Sequence, residues 1–238
     1  MITFGQLGRY GRIGNCLFQI SSAIGHAERV GTSYQFPLWP SAHYFSLGNC
    51  FSNNLLKLPI YQEPEFSYRP LPHQINLNLH GYFQSEKYFS HCSDKIRQLL
   101  TPSQPVEPIH AISLHVRRTD YLTLEGCFAQ LGMDYYQAAL EQLPDLPVLV
   151  FSDDLPWCRQ HFIGDRFSFS EGHTPEVDLH RMSFCTHHVI ANSSFSWWGA
   201  WLNPNLAKRV IAPSQWFGPK LVPTHDTKDL IPESWIKI

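Results

Sequence analysis

The chain has 238 residues, 43% hydrophobic and 14% aromatic, enough apolar matter for a core in one large domain or two small ones, which excludes a disordered protein. A formal net charge of -2 provides no general basic field of the kind that holds nucleic acid by its phosphates. Any anion site must therefore be local.

The opening "MITFGQLGRYGRIGN" lacks the charged start and apolar stretch of a secretion signal. Apolar runs elsewhere fall far short of the ~20 residues a membrane span needs, so a soluble, cytoplasmic protein without a transmembrane segment is expected. "ITFGQLG" reads as a strand, followed by a loop and a helix from about Gly14 to Val30 with Leu17, Ile20, Ser21, Ile24 and Ala27 on one side. From "FPLWPSAHYF" to "YRPLPHQ" the chain, rich in proline and aromatics, reads as irregular. "INLNLHGYF" then alternates as a strand does, and "SEKYFSHCSDKIRQLL" predicts a helix ending before Pro102. The proline-bearing "TPSQPVEP", 101–108, marks the boundary between two domains, 1–105 and 106–238.

In the second half "HAISLHV" (110–116), "PVLVFS" (147–152), "HHVIAN" (187–192) and "KRVIAP" (208–213) read as short buried strands. Helical patterns such as "DYYQAALEQL" and "PEVDLHRMSFC" lie between them. That alternation predicts an α/β fold with a parallel sheet covered on both faces, whose ligand crevice lies beyond the carboxyl ends of the strands. Arg117, Arg118 and Asp120 follow one strand, Asp153 and Asp154 the next, and Asn192, Ser193 and Ser194 a third.

Those residues carry the chemistry. A guanidinium is a planar fork suited to phosphate oxygens, and strand neighbours face opposite ways. One arginine of "LHVRRTDYL" can thus meet a ligand while the other binds a carboxylate or braces the loop; equally, an arginine can close the strand end on Asp120. In "NSSFSWWGAWLN" Asn192 can cap a helix beginning with Ser193, Ser194 and Phe195, offering N–H groups and a positive helix end to an anion; the bland alternative is an ordinary cap on an aromatic core helix. Trp197, Trp198 and Trp201 suit packing better than stacking, and Gly199 and Ala200 suit close approach of that helix to the sheet. "GQLGRYGRIGN" places glycines at 5, 8, 11 and 14 without the Walker ending or the dinucleotide pattern. Asp153 and Asp154 can contact a base or ribose, or cap a helix. There is no Asp-x-Asp motif to bridge a metal to a diphosphate, and the thirteen histidines form no metal pattern, so no metal is expected. Six cysteines without a Cys-x-x-Cys pair read as reduced thiols.

Four segments together resemble one family. "HVRRTDY" looks like the His-x-Arg-Arg-x-Asp motif of the alpha-1,2 fucosyltransferases of glycosyltransferase family 11, and "GRIGNCLFQ", "HGYFQSEKYF" and "DLHRMSFCTHHVIANSSFSWWGAWLN" resemble its other blocks in the same order. The resemblance, from about Ile2 to Trp216, implies a GT-B type fold of two Rossmann-like lobes with a nucleotide-sugar cleft between them. The first lobe would serve the acceptor, the second the donor. It implies GDP-fucose as donor substrate, a galactose-containing glycan as acceptor, inversion at the anomeric carbon, and neither cofactor nor metal. A soluble enzyme working at the inner face of a membrane fits this reading.

By motif position Arg117 would hold the diphosphate beside His115, with Arg118 in the same donor-binding group. Asn192, Ser193, Ser194 and Phe195 would line the nucleotide cleft, Asp153 would contact the nucleoside, and Gly14 and Asn15 would lie near the fucose. For the general base, Glu125 matches in spacing an acidic residue of the alpha-1,6 enzymes, and Asp120 is the second candidate. Two departures stand out: Cys16 occupies the place of a usual Gln, and the chain is short for the family. A transferase using another nucleotide sugar or linkage, and a catalytically inactive carbohydrate-binding protein, are the alternatives.

Overall fold

Every ladder between named strands in the computed structural model, which describes residues Met1–Ile238 throughout, is parallel. Parallel strands need long crossovers; between the strands of 109–212 these contain helices, whereas the connections at 63–76 and 213–235 contain none. The chain forms two units, Met1–Pro105 with Thr224–Pro232, and Val106–Pro223 with Glu233–Ile238.

In the first unit β1 (Ile2–Thr3) leads through the glycine-rich loop into α1 (Ile13–Val30), whose buried stripe runs from Cys16 to Ala27. β2 (Ile60–Gln62) and β3 (Leu77–His80) complete a three-stranded sheet in the order β1-β3-β2. β2 falls inside the stretch expected to be irregular; at three residues, two of them exposed, it carries no periodicity to read. The helix expected over 85–100 is instead two 3-10 turns, Glu86–Tyr88 and Ser90–Cys92, followed by α2 (Ser93–Leu99). Phe89, at φ -138 and ψ 5, interrupts it, and Tyr88 and Phe89 at the break are both buried. Thr224–Pro232, expected with the second domain, packs here: Asp229 accepts from Tyr68 N at 3.1 Å and from Lys87 Nζ at 2.5 Å, and His225 lies against the Phe66 ring.

The second unit starts with β4 (Ile109–Val116), followed by α3 (Thr119–Thr123), α4 (Met133–Glu141), β5 (Val148–Ser152), α5 (Leu155–His161) and β6 (Phe167–Phe169). Then come α6 (Pro175–Ser183), β7 (Cys185–Val189), α7 (Ser194–Leu202), β8 (Val210–Ala212) and β9 (Ile236–Lys237). Short β6 and β9 were not among the expected strands. The sheet order is β6-β5-β4-β7-β8-β9, a doubly wound arrangement whose direction of growth reverses between β4 and β7.

Alternation along β4 separates two cores. Ile112, Leu114 and Val116 join Val148 and Val150 against Tyr136, Ala139 and Phe162 on one face, while Ala111, Leu149 and Phe151 meet Met182 on the other. Trp197, Trp198 and Trp201 are buried and pack on one another, with Trp235 against Trp197. The close approach at Gly199 is to α6, not to the sheet: a Cβ there would fall on Met182 Sδ. All six cysteines are unpaired thiols, and no helix is long and apolar enough to cross a membrane.

Candidate active site at the sheet switch point

β4 delivers His115 and then Arg117 to the carboxyl edge of the sheet beside the end of β7, the position at which open parallel sheets leave a crevice. His115 is buried, and its Nδ1 pairs with Ser196 Oγ of α7 at 2.9 Å while its ring tilts against Phe195 at 5.3 Å. Burial drives its pKa down to about 3, with the Asp153 carboxylate opposing and the Arg117 charge adding to the shift. At neutral pH this imidazole is uncharged.

The two arginines both meet carboxylates. Arg117 Nη2 donates to Asp120 Oδ1 at 2.5 Å and Nη1 forms an ion pair with Asp153 Oδ2 at 2.8 Å, with the guanidinium 5.3 Å from the Tyr121 ring centre. Arg118 Nε donates to Asp154 Oδ2 at 3.1 Å, and its guanidinium lies 4.1 Å over Trp157. The strand-end pairing with aspartate is thus realised for Arg117, and Arg118 is the bracing partner of the two. A guanidinium has five N–H donors, so Arg117 retains donors beyond the two directed at carboxylates.

Asp153 is engaged on both oxygens, accepting from Arg118 N at 2.9 Å through Oδ1 and from Thr119 Oγ1 through Oδ2. Asp154 is the N-cap of α5, accepting from Trp157 N at 3.2 Å. Asn192 does not cap α7. Its carboxamide donates to Ala129 O at 2.9 Å and Trp216 O at 2.8 Å, tying two loops together, and Ser193 is the cap, accepting from Phe195 N at 3.3 Å. Two N–H groups expected to be open therefore have partners inside the chain, since Ser193 N donates to Ala191 O. Ser193 preserves the capping chemistry one residue later because Asn192 is drawn into the loops.

Sequence reasoning passed over Tyr121 and Ser196. Tyr121 donates to Asn192 O at 3.1 Å, stacks on Phe128 at 3.8 Å and underlies Arg117, so it joins the arginine to the β7 end. It sits four residues after Arg117, within reach of one helical turn, which was the available signal. Glu125 stands exposed in the turn after α3.

Thus His115, Arg117, Arg118, Asp120, Asp153 and 192–195 gather within the second unit. Gly14 and Asn15 lie in the first turn of α1 in the first unit, where Asn15 Oδ1 accepts from Gln84 Nε2 at 2.8 Å. Cys16 is buried there, and desolvation raises its thiol pKa against a hydrogen bond from the backbone of Gly8 in the glycine-rich loop, so the thiol keeps a polar contact with that loop. No three His, Cys, Asp or Glu side chains converge as a set of metal ligands.

A doubly wound parallel sheet with guanidinium, imidazole and a helix start at its switch point defines a Rossmann-like α/β unit of the glycosyltransferase kind. Residues 45–236 match glycosyl transferase family 11, and the chain belongs to that family. It is 35% identical over 180 residues to an alpha-1,2-colitosyltransferase of Escherichia coli, covering 66% of this chain and 61% of the relative. It is 35% identical over 143 residues to the O-antigen biosynthesis glycosyltransferase WbnK of Escherichia coli, 56% and 46% of the two chains. To galactoside alpha-(1,2)-fucosyltransferase 1 of Gorilla gorilla gorilla it is 26% identical over 182 residues, 69% and 46% of the two. The aligned region thus spans 61% or less of the length of these relatives. No solved structure matches the chain.

Proposed function

We propose that the chain transfers L-fucose from GDP-fucose to a hydroxyl of a galactose-containing glycan, in alpha-1,2 linkage, with inversion and without a metal ion. The two units would form the acceptor and donor lobes of a GT-B type enzyme, with the nucleotide sugar in the cleft between them. The observation that carries the reading is Arg117, held at the switch point by Asp120 and Asp153 beside the start of α7. The similarity to an alpha-1,2-colitosyltransferase and to a galactoside alpha-(1,2)-fucosyltransferase supports the sugar class and linkage.

In such a transfer the acceptor oxygen bonds to C1 of the sugar as the bond from C1 to the β-phosphate oxygen breaks. GDP keeps the electron pair, and the hydroxyl proton passes to a base. Negative charge grows on the departing phosphate, where Arg117 acts as a preorganised donor worth about 3–4 kcal/mol and the α7 start adds the positive end of its dipole. His115, neutral in its pocket, adds no positive charge there, so the cationic contribution falls to the arginine. Two guanidinium groups face three carboxylates, Asp120, Asp153 and Asp154, so the diphosphate is recognised by directed N–H groups rather than by net charge. Asn15 would orient the reacting sugar from the first unit. Because Asp120 is engaged by Arg117, the exposed Glu125 is the better placed of the two candidate bases.

A colitosyl donor is the second reading, favoured by the 35% identity to the colitosyltransferase. Purified protein is offered GDP-fucose and GDP-colitose with a panel of galactosides, with and without chelator. Fucosylated product with stoichiometric GDP release, unchanged by chelator, is expected. Preference for GDP-colitose would transfer the assignment to that donor, strict dependence on magnesium or manganese would remove the metal-free mechanism, and sugar binding without GDP release would make the chain a carbohydrate-binding protein.

A further inference from the structure

The loop after β3 is gripped from two sides. From α1, Asn15, Gln19 and Ser22, spaced four and three residues apart on one helix face, reach it together. Asn15 Oδ1 accepts from Gln84 Nε2 at 2.8 Å, Gln19 Nε2 donates to Gly81 O at 3.4 Å, and Ser22 Oγ donates to Phe83 O at 3.5 Å. From the side of β2, the Glu63 carboxyl group receives two successive backbone N–H groups, Tyr82 N on Oε2 at 2.6 Å and Phe83 N on Oε1 at 2.8 Å. Successive N–H groups of this kind form an anion-binding concavity, here filled by the chain's own side chain.

Two further features show how closely the loop is shaped around Glu63. Gly81 has no room for a side chain, since a Cβ there would coincide with the Glu63 side chain. Phe83, buried at φ 51, is the one non-glycine residue of the chain with positive φ, a conformation that persists only where its surroundings impose it. Glu63 supplies the acceptors that hold it there. The next residue is Gln84, whose carboxamide fixes Asn15.

We propose that Glu63 is a positioning residue, acting through the Gly81–Gln84 loop to set Asn15 for sugar transfer. This rests on the reading of Asn15 as a residue of the reaction centre. Asn15 itself bears no charge, and Glu63 touches neither it nor any substrate position; the effect is transmitted through two N–H groups and one carboxamide. Burial pushes the Glu63 carboxyl up to about 7, against the two hydrogen bonds that pull it down. The ionisable groups facing it are Tyr61 of β2, Tyr82 of the loop and Tyr88 of the 3-10 turn, all with phenol pKa values raised further by burial and so uncharged near neutrality. His80 of β3 pairs with Gln62 Oε1, Arg69 pairs with Glu65, and the α1 face contributes only Asn15, Gln19 and Ser22. Protonation below about pH 7 therefore takes one acceptor away from the loop.

The test is Glu63→Gln, which leaves a single acceptor oxygen. Turnover is expected to fall about tenfold with KM for GDP-fucose changed less than about twofold, the scale of one misplaced polar contact. The acid limb of the wild-type kcat profile near pH 7 should vanish in the variant, and amide exchange at Tyr82 and Phe83 should quicken. Because the charged form of a buried carboxyl opposes folding, the variant's thermal stability at pH 8 should be no lower than wild type. Equal turnover, a persistent acid limb, or a turnover loss matched by a lower Tm would overturn the proposal. If wild type turns over no GDP-sugar, the reading of function fails separately, and amide exchange still decides: protection at 82 and 83 lost in the variant supports the clamp, and unchanged protection refutes it.

Discussion

At the scale of single residues the site is a set of charges held by their neighbours. Arg117 is oriented by Asp120 and Asp153, and Arg118 by Asp154 and Trp157. His115 is kept neutral because burial disfavours its charged form, so its protonation cannot shape activity anywhere near pH 7. Glu125, exposed after α3, is the carboxylate not already committed to Arg117. Replacing it by Gln should remove the base and lower kcat by about 100-fold or more within the usual range for a general base, with KM for the donor little changed. A kcat profile for Glu125→Gln that overlays wild type across pH would exclude this role. The pairing of the strand-end arginine with aspartate was legible from sequence because Asp120 stands three residues after Arg117. The identity of the α7 cap was not, because Asn192 and Ser193 have equal capping chemistry and only the loops at Ala129 and Trp216 decide between them.

At the scale of elements, strong alternation and long apolar runs were readable, and short pieces were not. β4 and β5 are nearly continuous buried runs, the mark of strands covered on both faces. β2, β6 and β9, of two or three residues, owe their pairing to neighbours far away in sequence. The broken helix at 85–100 looked regular because its composition suits a helix; the break falls at Phe89, whose φ of -138 and ψ of 5 no propensity of its own announces. The α6–α7 contact gives a test of packing. Gly199→Ala would gain about 1 kcal/mol in helix propensity yet force Met182 aside in a filled core, at a cost of about 1–3 kcal/mol. A Tm lower by a few degrees is expected, at about 2–4 °C per kcal/mol for a chain of this size. An unchanged or raised Tm would show that Met182 has room to move.

At the scale of the whole molecule, the return of Thr224–Pro232 to the first unit means that the chain crosses between its units three times. That crossing was invisible in sequence because the segment's anchor, Asp229, is a single charge whose partners lie at Tyr68 and Lys87. Family membership follows from the match over residues 45–236, which takes in parts of both units. The proposed function turns on the departure of a nucleotide diphosphate toward Arg117. The most direct test is a single-turnover measurement of GDP release from GDP-fucose with a galactoside acceptor, comparing Arg117→Ala with wild type. The predicted result is a rate lower by at least about 100-fold, as for removal of a transition-state donor, with the fold intact by circular dichroism. A rate within about threefold of wild type would mean that Arg117 serves only to close the strand end on its two aspartates, and the mechanism would have to be built on other groups.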